Sequence, residues 1–340
     1  MAILNVKNER SIDVIAMGRA SVDLVPDSYG STLTEHHYTK FLGGSPANTA
    51  VSMTQHQIRT GYIGKVGTDI PGDYLIGYMK SKGIDTSHIA RSADPAVRTG
   101  MSIAELLAPN VKRSNLYRSN VADLYISPDE MDEDYIACAG VLLVSGASLS
   151  ESPAREAVFL AIEYAKRNCV RVILDPDYRA QSWQSEKTAS IYYTLAMQQC
   201  DGLITTREEM DVLNCAYSQQ AIDDQTAAQQ CLNHGLSFVI IKHGEDGSEG
   251  FLSDGTHVHQ DAFPSRVISL QGAGDSYSGA FMSEVIRGKE LPQAMEYASA
   301  SAALTVSGRS CSEHMPSRKM TEEFMSLCKS GRASEWIFWE

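Results

Sequence analysis

Short apolar runs punctuate the chain at 12–17, 141–144, 170–174, 202–204 and 238–241. They are nearly continuous rather than alternating, which predicts strands covered on both faces, as in a parallel sheet between helices. The intervening segments carry helical spacing. Ser152-Pro153 opens one helix that continues through Val158, Ile162 and Ala165, with Ser as N-cap and Pro at the first helical position. Ser45-Pro46 opens another, to about Gln57, in the same way, and further helices are predicted near 186–198, 222–234, 275–287, 292–306 and 317–329. Strand and helix in alternation predict an α/β fold with a doubly wound parallel sheet. Two stretches break the rhythm. Residues 28–42 (Tyr29, Thr32, Thr34, Tyr38, Phe41) and 97–126 are rich in β-formers and lack helical spacing. They predict a small inserted β-sheet, either a lid over a ligand cleft or an oligomer edge. There is no internal repeat and no linker, so residues 1–340 read as a single domain with a discontinuous lid.

Charge narrows the partners. Twenty-nine basic against 42 acidic side chains give a net charge of −13, which provides no global attraction for nucleic acid or anionic lipid. No window reaches the roughly 18–20 apolar residues of a membrane span, and residues 1–10 lack a secretory apolar stretch. The seven cysteines are scattered without a CxxC pair, as expected of free thiols in a reducing compartment. A cytoplasmic protein with small-molecule ligands is the expectation.

Four segments could carry chemistry. Gln271-Gly272-Ala273-Gly274-Asp275-Ser276 precedes an apolar-periodic helix, so small residues and successive N–H groups form an anion site at its start. Asp275 is either an ordinary N-cap carboxylate or a general base beside that site. Gly43-Gly44-Ser45-Pro46-Ala47-Asn48 brings backbone close to a cleft, with Asn48 facing either a polyol or solvent. Asp23 follows the first strand, where open α/β sheets bind ligands, and is either a hydroxyl acceptor or a loop Asp. Lys242-His243-Gly244-Glu245-Asp246-Gly247 is a turn suited to a nucleotide or to a hairpin. GxxxxGK[ST], an early GxGxxG, HExxH and GxSxG are all absent, which removes P-loop, dinucleotide, zincin and hydrolase signatures.

In order, these segments resemble the ribokinase-like (PfkB) carbohydrate kinases over nearly the whole chain. The resemblance runs from Asp23 through GGSPANTA and KVGTDIPGDYL (65–75) to the 242–247 turn and GAGDSYSGAF (272–281). Within that family, GRASVDL (18–24), LYRSNVADLYISPDEM (116–131), LLVSGASLSESPAREAV (142–158), DPDYRAQSW (175–183) and SCSEHMPS (310–317) look like the 5-dehydro-2-deoxygluconokinases of inositol catabolism. The 2-keto-3-deoxygluconate kinases are the alternative. A sugar-binding regulator that has lost catalysis is a reading of a different class.

The resemblance implies a ribokinase-like fold and ATP-dependent phosphorylation of the C6 hydroxyl of a sugar acid. It implies Asp275 as base, with the amides of Gly272, Ala273 and Gly274 holding the transferring phosphoryl group. Asp23, Gly43, Gly44 and Asn48 would bind the sugar. Arg118 and Arg179, with Arg19 third, would meet its carboxylate, because a guanidinium binds carboxylate bidentately. Thr206, Lys242, Gly244 and Gly247 would contact ATP, and Glu209 would act on Mg2+ through water. A monovalent cation and a homodimer built on the lid edge belong to the same expectation. Two departures stand out: Ser269-Leu270 occupy the places of the family's Asp-Thr, and Thr206 replaces the Asn of its Asn-x-x-Glu.

Overall fold

The computed structural model describes residues 3–6, 9–28, 35–108, 111–216, 222–308 and 311–336. Tyr29, Thr32, Thr34, Ser310 and the Ile337-Phe338-Trp339 tail lie outside the described residues. The chain opens with β1 (Ile12–Met17), β2 (Ser21–Pro26), β3 (Tyr38–Gly43) and α1 (Ser45–Gln55). Next come β4 (Thr60–Val66), α2 (Ile70–Ser81), β5 (Asp85–Arg91), β6 (Gly100–Ala108) and β7 (Val111–Tyr117). The middle holds α3 (Glu133–Ala137), β8 (Ala139–Ser145), α4 (Ala154–Arg167), β9 (Arg171–Asp175), α5 (Glu186–Met197) and β10 (Gly202–Thr206). Then follow α6 (Arg207–Asn214), α7 (Asp224–Leu232), β11 (Phe238–Lys242), β12 (Ser248–Leu252) and β13 (His257–Gln260). Three helices close the chain: α8 (Ala273–Ile286), α9 (Leu291–Thr305) and α10 (Arg318–Lys329).

Among the described residues nine strands form one sheet in the order β13-β12-β11-β10-β9-β8-β1-β4-β5. Pairing is parallel from β11 across to β5, and β12 and β13 add an antiparallel edge. Side-chain alternation sorts the core into two layers. Ile15, Met17, Leu142, Val144, Leu174 and Ile241 pack on one face with residues of α4, α5, α6 and α7. Val14, Ala16, Val141, Leu143, Ile173 and Ile240 pack on the other with α1, α2, α8 and α9. Burial on both faces explains why these runs read as unbroken apolar segments.

The remaining four strands form a second sheet, β3-β2-β6-β7, with β2 and β6 parallel and the outer pairs antiparallel. This differs from the sequence expectation in two respects. Residues 21–26 are not a loop after β1 but the second strand of the small sheet, so Asp23 projects from that sheet. Residues 118–126 of the second inserted stretch are irregular, with a 3-10 turn at Ala122–Tyr125.

Two helix starts also differ. α1 is capped by Gly44 at φ 96°, and Ser45, the expected cap, turns its hydroxyl elsewhere. α4 begins after Pro153, and Ser152 bonds Glu156 at 2.8 Å rather than a helix amide.

Candidate active site

The strand order reverses between β1 and β8, and the carboxyl ends of the parallel strands deliver side chains to a crevice there, as open α/β sheets do. Arg19 follows β1, Asp175 ends β9 with Asp177 and Arg179 just beyond, Thr206 ends β10 and Lys242 ends β11. The α8 N-terminus enters from one side and the small sheet supplies Asp23, Ser102, Ser114 and Leu116 from above. Together they enclose a cavity of about 460 Å³.

Asp275 stands in the first turn of α8, which starts behind Gly272 in the left-handed region (φ 82°) with no side-chain cap. A Cβ on Gly272 would lie 2.7 Å from that of Cys311, so this position needs glycine for its φ and for space. Asp275 therefore does not cap its own helix. Its Oδ1 accepts from the Ser45 hydroxyl at 2.6 Å and its Oδ2 from the Asn48 amide at 2.9 Å. Burial pushes its pKa up, Asp177 adds to that, and the bonds from Ser45 and Asn48 with the charge of Arg179 oppose it. First-turn amides have no carbonyl partner within the helix, so those of Gly274 and Asp275 can meet an anion. The Ala273 amide reaches the Leu270 carbonyl at a long 3.5 Å.

A second acidic group faces it. Asp175 is pushed up to about 7 by burial, against the charge of Lys242 3.8 Å away and with the repulsion of Glu209, Asp177 and Asp275. The ammonium of Lys242 also reaches the Ser278 hydroxyl at 3.3 Å, and a Cβ on Gly274 would come within 3.6 Å of it. Glu209 and Thr206 form a reciprocal capping box at the start of α6, and Glu209 also accepts from the Tyr178 amide at 2.9 Å. Thr206 thus fills the Asn position with a cap hydroxyl. Five carboxylates (Asp23, Asp175, Asp177, Glu209, Asp275) line the cavity against three cations (Arg19, Arg179, Lys242). That excess suits a divalent cation. Among the described residues no three His, Cys, Asp or Glu side chains converge on one point, so the cation would be held through water and ligand oxygens.

The sugar-facing residues are grouped as well. Asp23 accepts from Ser102 at 2.7 Å and from Gln271 at 3.3 Å. Gly43 is bare because a Cβ there would overlap the Asp23 carboxylate, and one on Gly44 would lie 2.2 Å from the Arg19 carbonyl. The Oδ1 of Asn48 is buried without a partner and is open to a hydroxyl. Arg179 lines the cavity and pairs with Asp177 at 2.6 Å. Arg118 does not line it. Its guanidinium turns to Asp123 at 3.0 Å and borders a small gap shared with Arg19. Gly244 and Gly247 lie in the turn after β11, outside the lining. Gly244 has open space where a Cβ would sit, whereas one on Gly247 would strike the Gln260 carbonyl at 2.1 Å, a requirement of the β12–β13 edge. Sequence reasoning assigned no role to Asp175, Asp177 or Gln271 and read Ser45 only as a helix cap. The Asp-Pro-Asp at the end of an apolar strand was the available signal for the first two.

Residues 11–318 match the model of the pfkB family of carbohydrate kinases. The chain belongs to that family. It is 39% identical over 335 residues to the 5-dehydro-2-deoxygluconokinase of Geobacillus kaustophilus, covering 98% of this chain and 99% of that one. It is 42% identical over 324 residues to 5-dehydro-2-deoxygluconokinase 1 of Bacillus cereus, covering 95% and 97%. Among solved structures, a putative ribokinase II from E. coli in complex with ATP and Mg2+ superimposes with a TM-score of 0.84 at 22% identity, covering 93% of this chain and 99% of that one. A fructokinase from Xylella fastidiosa with bound ATP gives 0.83 at 18% identity, covering 93% and 99%. The fold is ribokinase-like, and this pfkB protein is a phosphotransferase of the carbohydrate kinase class. Among its described residues no helix is long and apolar enough to cross a membrane.

Proposed function

We propose that the chain transfers the γ-phosphoryl group of ATP to the C6 hydroxyl of 5-dehydro-2-deoxy-D-gluconate, a step of inositol catabolism in the cytoplasm. The observation that carries this reading is a half-buried carboxylate, Asp275, presented beside the amides of a helix start that no side chain caps. The curated relatives at 39% and 42% identity bear the corresponding name.

Asp275 accepts the proton of the attacking hydroxyl. Its raised pKa makes it a better base than an ordinary Asp. The amides of Gly272, Ala273 and Gly274 hold charge that develops on the phosphoryl oxygens, and Lys242 adds a cation beside them. Asp23 and the Oδ1 of Asn48 accept sugar hydroxyls, and Gly43 and Gly44 let the sugar approach. Arg179 supplies positive charge at the sugar side. Thr206, Gly244 and Gly247 would border the nucleotide, and Glu209 and Asp175 would hold its Mg2+ through water, where the ion would supply positive charge to the phosphates. A monovalent cation belongs to the same proposal. The edges of the small sheet, β3 and β7, are the surface on which a homodimer would form.

Phosphate transfer to a panel of sugar acids, followed by ADP release, tests the reading. The 5-dehydro-2-deoxy acid should give the highest kcat/KM. Preference for 2-keto-3-deoxygluconate would move the substrate, and no ADP release with any acid would leave a binding protein. Asp275→Asn should bind sugar and nucleotide normally and lose about 10²–10⁴-fold in kcat. Near-normal turnover would remove Asp275 from the mechanism.

A further inference from the structure

Arg19 sits where the chain leaves β1 in the large sheet for β2 in the small one, with its carbonyl pressed beneath Gly44. Its side chain is buried, at 8% exposure. One side of it lines the main cavity, and the other borders a small gap shared with Arg118 and Asp123. A guanidinium carries five donors. Arg19 makes one long hydrogen bond, Nη2 to the Ser21 hydroxyl at 3.4 Å, and its Nε is buried with no acceptor. A buried cation left this poorly satisfied is costly unless an anion joins it.

The acids around it are committed elsewhere. Asp177 pairs with Arg179 at 2.6 Å and accepts from Ser145 at 3.1 Å. Asp23 accepts from Ser102 and Gln271, and Asp123 faces Arg118 at 3.0 Å. Among the described residues Arg118 and Arg179 therefore have carboxylate partners within ion-pair distance, and Arg19 has none. Burial and the like charge of Arg118 both push the Arg19 pKa down, and both penalties are relieved by an incoming anion.

We propose that Arg19 is the specificity residue that receives the carboxylate of the sugar acid. This assignment rests on the acid-sugar kinase reading above. Arg118 and Asp123 then act as its backing, a fixed ion pair that keeps the guanidinium turned to the cavity.

The test compares kcat/KM for the sugar acid and for its C1 amide, a substrate with the same hydroxyls and no charge. Wild type should favour the acid. Arg19→Gln should collapse the acid-to-amide ratio about 100-fold, the size expected for breaking a buried charge pair, and Arg19→Lys should recover part of it. Arg118→Gln and Arg179→Gln should each lower the ratio less than Arg19→Gln does, because each of these guanidiniums already has a carboxylate partner. The ratio is independent of how much variant protein is folded. Equal losses on both substrates in Arg19→Gln, or a wild-type ratio near one, would overturn the proposal. Calorimetric binding of D-gluconate without ATP separates it from the kinase reading. If no sugar acid is phosphorylated but wild type binds gluconate and Arg19→Gln does not, the kinase reading fails and the carboxylate site stands.

Discussion

Asp275 has both carboxylate oxygens engaged before any substrate arrives, one by Ser45 and one by Asn48. Those bonds hold the carboxylate in one orientation and favour its ionised form, against the burial that disfavours it. Removing a donor must therefore raise the pKa further. In Ser45→Ala the acid limb of the kcat–pH profile should move to higher pH, and kcat at its plateau should fall because the carboxylate is less well aimed. A shift to lower pH would show that Ser45 does not act on the base. At this scale the sequence offered candidate residues and could not say where their side chains point. Arg118 and Arg19 are both close to the small sheet, yet one is spent on Asp123 and the other faces the cavity. Ser45 looked like a cap because Ser before Pro usually is one, and the glycine ahead of it took that place.

The α8 N-terminus is the element that the proposed mechanism relies on, and its two glycines do different work. Gly272 needs its left-handed φ and the space against Cys311, so Gly272→Ala should lower stability by about 1–2 kcal/mol or more. Gly274 is helical, and a methyl there meets only the end of Lys242, so Gly274→Ala should melt near wild type while narrowing the phosphate site. Thermal melting of the pair checks this, and equal destabilisation would refute the contrast. Helices 186–197, 273–286 and 291–305 were legible within two residues because their apolar spacing is regular. β4 was not, because Gly61, Gly64 and Lys65 interrupt it, and edge strand β5 is too polar to stand out. β2 is apolar enough to recognise, but nothing local says that it has changed sheets.

At the scale of the whole molecule, the fold bears a cost for gathering five carboxylates around one cavity with only three cations to oppose them. Asp175 ionises near 7 in the folded state and near 3.8 when unfolded. Between those values the unfolded chain releases its proton first, so this group makes stability fall as pH rises, with the loss complete above about 7. Asp175→Asn should therefore gain in Tm relative to wild type at pH 8 compared with pH 5, while its turnover drops. The same gain at both pH values would mean that Asp175 is not the group responsible.

The small sheet also has a consequence for inheritance. The chain visits it twice, in 21–43 and again in 100–117, and the two visits meet along the four registered pairs from Ser21↔Gly100 to Leu24↔Ile103. Between the visits the chain builds α1, β4, α2 and β5 of the main layer. A genetic crossover between two relatives anywhere in that interval would assemble the small sheet from two parents, joined at a seam neither had selected. Chimeras that exchange both visits together should keep their substrate preference, and those broken between them should be the ones that fail.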